Sequence, residues 1–179
     1  MYRVGIIGPE STGKSSLALY LANRYKGTYV PEYARTYIEQ KGNKEVSYDE
    51  LCAIAQHQIE ELRTYSVPES NSTEEEPYSD VVFFDTELIV TKVWFEYAFG
   101  KMPEWLEEAI RAYPMDVYLL TYPDLPWVPD PARYNGDEAM RLELFKRYES
   151  EIQALDIPYY VIKHETPPSP LSKGEKGNW

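Results

Sequence analysis

The stretch GPESTGKSS, residues 8–16, follows directly on MYRVGII and leads into LALYLANRY. Gly8-x-x-x-x-Gly13-Lys14-Ser15 has the spacing of a phosphate loop, which requires a strand before it and a helix after it. Both flanks fit: Val4–Ile7 is a continuous apolar run, and Leu17, Leu21 and Tyr25 recur at helical spacing. The glycines let successive backbone N–H groups turn inward on an anion, and the helix that follows adds the positive end of its dipole. Lys14 is expected to reach the outer phosphates of a nucleotide and the Ser15 hydroxyl to ligate Mg²⁺. The nucleotide-binding segment is thus Gly8, Glu10, Ser11, Thr12, Gly13, Lys14, Ser15 and Ser16, with Glu10 bracing the loop and Ser16 a helix-start residue.

A strand that opens into a helix is one unit of an α/β fold, and the rest of the chain repeats the pattern. RVGII (3–7), DVVFF (80–84), DVYLL (116–120) and PYYVI (158–162) are continuous apolar runs and predict buried parallel strands. GTYVPEY (27–33) predicts a short strand ending near Val30. Helices are predicted over 48–65, with Ser47 and Glu50 as a capping box, over 87–99, and over 103–113 after the break at Gly100. Another starts at Asp137 and carries Met140, Leu144, Tyr148, Ile152 and Leu155 on one stripe. We expect one domain over residues 1–164, with a mobile acidic connection at 66–79, a proline-rich segment at 121–136 and a disordered tail at 165–179.

Composition narrows the function. With 179 residues and 43% hydrophobic content the chain can bury a sizeable core. A net charge of −12 speaks against a nucleic-acid partner, so an anion site has to be a local concentration of positive charge. The single cysteine, Cys52, permits no intrachain disulfide, and no segment approaches a signal peptide or a membrane span. A soluble cytoplasmic protein is expected.

A phosphate loop calls for a carboxylate at the end of a buried strand, and VVFFD ends in Asp85. The rival role for Asp85 is N-cap of the helix that follows, and both can hold. In PEYAR, Glu32 stands three residues before Arg35, which puts both on one helix face; the plain alternative is a surface ion pair. The proline-rich segment carries Arg133, placed to cover a phosphate donor, or simply to lie in a surface connection. Trp127 and Tyr122 offer flat faces there, and Trp127 also suits anchoring the segment to the core. Cys52, His57 and His164 have no metal-ligand spacing and call for no special role.

GPESTGKSSL, PEYAR, VFFDTELIVTKVW and PWVPDPAR, in this order, resemble the ribosylnicotinamide kinase-like P-loop ATPases. The resemblance spans about residues 3–163 and includes the kinase half of the bacterial bifunctional regulator of NAD synthesis. It implies a P-loop NTPase fold, three-layer α/β/α, with a five-stranded parallel sheet in the order 2-3-1-4-5. It also implies transfer of the ATP γ-phosphate, with Mg²⁺, to the 5′-hydroxyl of a nucleoside. Carried over, Lys14, Asp85 and Arg133 are catalytic, Ser15 and Asp85 hold the metal, and Glu32, Tyr33, Arg35, Asp85 and Trp127 face the acceptor.

One departure concerns the substrate. Where the nicotinamide kinases have an aromatic residue before the glutamate of PEYAR, this chain has Pro31, which cannot stack on a cationic ring. The reading is a small-molecule kinase acting on ribosylnicotinamide or a similar nucleoside. Its alternative is a nucleotide-dependent regulatory ATPase that works through a protein partner. A GTPase is disfavoured, since Asn43-Lys44-Glu45-Val46 lacks the final Asp of a guanine motif.

Overall fold

The computed structural model of the protein describes residues 1–66, 80–127 and 137–164. The strands are β1 (Tyr2–Ile7), β2 (Thr28–Val30), β3 (Val81–Asp85), β4 (Val117–Thr121) and β5 (Tyr159–Ile162). The helices are α1 (Lys14–Tyr25), α2 (Tyr33–Lys41), α3 (Tyr48–Thr64), α4 (Leu88–Phe99), α5 (Glu104–Ala112) and α6 (Glu138–Ala154). All strand pairs are parallel and the order is β2-β3-β1-β4-β5, as the resemblance implied.

Side chains on the sheet alternate between two apolar layers with the period of two that a strand imposes. Val4, Ile6 and Phe83 pack with Ala18 and Ala22 of α1 on one face. Ile7, Val82, Phe84, Tyr118 and Leu120 pack with α3, α4, α5 and α6 on the other. The sheet is therefore the middle of three layers, and its central strands β1 and β3 end together at the loop after β1.

Three differences from the sequence reading have physical causes. β3 and β4 each start and end one residue later than the predicted runs, which puts Asp85 at the strand end, where the sequence reading wanted an acid, and makes Thr121 the last residue of β4. The N-cap of α4 is Glu87, whose side chain accepts from the Ile89 N–H, so Asp85 is not the cap. β5 is an edge strand exposed on both faces, Tyr160 being 65% and Val161 37% exposed, and not the fully buried strand its apolar run suggested. The predicted connection (67–79), most of the proline-rich segment (128–136, with Arg133) and the tail (165–179) lie outside the described residues.

Candidate functional site

Gly8 leaves β1 at φ 150° against the end of β4. A Cβ there would stand 2.2 Å from the Thr121 Oγ1 and 2.7 Å from its carbonyl oxygen. The first glycine of the loop is thus demanded by close approach as well as by the turn. Thr12 Oγ1 donates to the Pro9 carbonyl at 2.8 Å and meets Thr121 Oγ1 at 2.6 Å. Thr121 Oγ1 in turn lies 3.2 Å from the Ile7 carbonyl, so two buried threonines tie the loop to β4. Gly13, at φ 78°, opens α1. Lys14 is buried and its ammonium donates to the Pro9 carbonyl at 2.8 Å, arched over the loop. Ser15 is half-buried and Ser16 is exposed.

Beside the loop, β3 delivers Asp85, which is 1% exposed. Its Oδ2 accepts from the Tyr29 hydroxyl at 3.3 Å, while its Oδ1 is buried without a hydrogen-bond partner. Burial first, and then the Asp85 carboxylate, push the Tyr29 hydroxyl up to about 12, so Tyr29 remains a donor to Asp85 at ordinary pH. Thr86 follows at φ 74°, with its Oγ1 also buried and unpartnered. Strain of this kind and orphaned oxygen atoms at adjacent positions mark a place built for something other than stability.

Mg²⁺ fits this donor set. Among the described residues no cluster of three or more His, Cys, Asp or Glu converges on one point. A cation that keeps its waters and takes one or two protein oxygens plus phosphate oxygens needs no such cluster. The open Oδ1 of Asp85 and the Ser15 hydroxyl at the start of α1 are donors of the right hardness.

A cavity of about 570 Å³ opens from the loop. It is lined by Gly8, Glu10 and Lys14 of the loop, by Glu32 and Arg35, and by Thr86, Trp94 and Tyr97, among others. Glu32 is the N-cap of α2 and Arg35 sits in its first turn, and both line the cavity. Arg35 Nε also donates to Glu39 at 2.9 Å. Tyr33 goes elsewhere: its ring stacks on His57 with centroids 3.5 Å apart, outside the lining. Trp127 is half-buried and likewise outside the lining.

Several contributors escaped the sequence reading. Thr121 and Tyr29 carry no motif signal, since a strand residue's partner across the sheet is invisible in one dimension. Trp94 and Tyr97 fall in the helix predicted over 87–99 and were given no role of their own. Their spacing of three, on the helix next to Asp85, was the available signal.

The AAA domain family model matches residues 3–167. The trifunctional NAD biosynthesis/regulator protein NadR of Escherichia coli (strain K12) is 27% identical over 165 residues, which are 90% of this chain and 38% of that one. The crystal structure of a NadR protein in complex with NR has a TM-score of 0.68 at 23% identity, covering 95% of this chain and 46% of that one. Another, in complex with NAD and AMP-PNP, has a TM-score of 0.69 at 22% identity, covering 91% and 44%. The chain thus spans less than half the length of these relatives, and the likeness read from its motifs is matched in both sequence and fold.

Proposed function

The chain belongs to the AAA domain family, and on that premise we propose that it is an ATP- and Mg²⁺-dependent kinase acting on a nucleoside hydroxyl. Ribosylnicotinamide or a similar nucleoside is the favoured acceptor. The observation that carries the reading is that one cavity is lined both by Gly8 and Lys14 of the phosphate loop and by Glu32, Arg35 and Thr86. A hydrolase whose acceptor is water needs no chamber of about 570 Å³ beside its phosphate loop.

The aromatic wall bears on the base. Pro31 is exposed and outside the lining, so no ring can be stacked there. Trp94 and Tyr97 of α4 line the cavity instead, with ring centroids 5.6 Å apart at 83°. A flat base can lie against this wall, and a cationic one gains further from the π faces. The relatives support the choice, since NadR proteins have been seen with NR and with AMP-PNP.

In this reading the acceptor hydroxyl gives its proton to Asp85. Its oxygen bonds to the γ-phosphorus as the bond to the β,γ-bridging oxygen breaks. Tyr29 holds Asp85 by one oxygen and leaves the other without a hydrogen-bond partner; Asp85 lies behind Thr86, which lines the cavity, and not in the lining itself. Lys14 exchanges the Pro9 carbonyl for phosphate oxygens, and Arg133 supplies a further positive charge from the proline-rich segment. Mg²⁺, held by Ser15 and Asp85 when bound, supplies charge neutralisation on the phosphates.

The test is incubation with ATP·Mg²⁺ and a nucleoside panel, read by mass for an added phosphate. A phosphorylated nucleoside is expected, with turnover reduced at least about a hundredfold in Asp85→Asn and ATP affinity retained. Steady ATP loss with no phosphorylated product would instead establish the regulatory ATPase.

A further inference from the structure

Arg141 occupies the first turn of α6, where the helix dipole disfavours a cation, and yet it is only 4% exposed. Nη1 and Nη2 each donate to the Leu125 carbonyl at 3.0 Å, and Nη2 reaches the Ser11 carbonyl at 3.4 Å. The Nε is buried with no hydrogen-bond partner. Among the described residues Arg141 makes no ion pair, and Glu138, Asp124 and Glu10 act on it only as more distant charges. Burial accordingly pulls its pKa down.

A latch between two carbonyls needs no guanidinium, because a glutamine amide donates to a carbonyl without the desolvation penalty of a charge. A buried cation with neutral acceptors and an idle N–H is an arrangement that an anion completes. One of its acceptors, Ser11, belongs to the phosphate loop and stands at φ 55°. The other, Leu125, opens the segment after β4. Its neighbour Asp124 anchors that segment separately, accepting from the His164 backbone N–H at 2.8 Å and pairing with its Nδ1 at 3.0 Å.

We propose that Arg141 is a second anion-binding residue of the donor site, exchanging the Ser11 and Leu125 carbonyls for the polyphosphate of the bound nucleotide. Occupancy of the loop is thereby linked to release of Leu125, while Asp124 remains the fixed point of the segment. The proposal rests on the nucleotide reading above and assigns that site a residue that neither motif contains.

Calorimetric titration of the whole chain with ATP·Mg²⁺ and with inorganic triphosphate tests it in wild type, Arg141→Lys and Arg141→Gln. Arg141→Gln keeps a neutral amide donor in place of the charged guanidinium. It should weaken both ligands about tenfold to a hundredfold, with Arg141→Lys recovering a good part of the loss. Wild-type triphosphate affinity in Arg141→Gln, or equal losses in the two variants, would reduce Arg141 to a structural latch and overturn the proposal. A wild-type chain that binds neither ligand would remove the nucleotide reading itself, and this proposal with it.

Discussion

Glu87 is a carboxyl enclosed by the core two residues past Asp85. Burial raises it from the ordinary 4.5 to about 8, against the opposing bonds from the Ile89 and Leu88 N–H groups and the Tyr118 hydroxyl. The unfolded chain gives up this proton near 4.5 while the folded chain holds it to about 8, so the folded state binds more protons in between. Stability therefore falls as pH rises through that window. Glu87→Gln has no proton to lose, and its stability relative to wild type should rise between pH 5 and pH 8 by more than about 1 kcal/mol in urea unfolding. A constant difference across that range would acquit Glu87. At this scale Asp85 was legible, because an acid ending an apolar run is a local pattern. Its hydrogen-bond partner Tyr29 was not, because the contact joins positions 56 apart.

Helix α3 begins as its sequence predicts. The Ser47 hydroxyl accepts from the Glu50 N–H at 3.3 Å, and the Glu50 carboxylate accepts from the Ser47 N–H at 2.8 Å. The Lys41 ammonium and these Ser47 contacts hold Glu50 down at about 2. Ser47→Ala removes one side of the box and should lower stability by about 1 kcal/mol, measured by thermal or urea unfolding. Wild-type stability would show that packing of Leu51 and Ile54 alone sets the start of α3. A capping box is readable because its two residues are three apart. Helix α2 has no fully buried residue, and its apolar stripe of Tyr33, Ala34, Tyr37 and Ile38 spans little more than one turn, too short a pattern to announce a helix, so only the Glu32–Arg35 spacing hinted at it. The exposure of β5 was hidden for the opposite reason, since YYVI has the composition of a central strand and occupies an edge.

Across the whole molecule the donor and acceptor groups meet only through the sheet. β1 brings the loop, β3 brings Asp85, and β4 braces the loop through Thr121, all at the same end of parallel strands. ATP·Mg²⁺ at a hundred times its Kd should stabilise the chain by about 2.7 kcal/mol, seen as a raised Tm. Lys14→Ala should lose most of that shift together with all turnover, while a full shift in the variant would remove Lys14 from the phosphate grip. The sequence by itself determined the donor side and the layer order, because a phosphate loop, a strand-end acid and alternating strands and helices are written in neighbouring residues. Tertiary structure decided the cavity beside the loop, of which Glu32 and Arg35 were the part legible in the sequence. That cavity draws on Glu32, Thr86, Trp94 and Tyr97, which come from different elements, and sidedness across a folded sheet is a property that no local spacing carries.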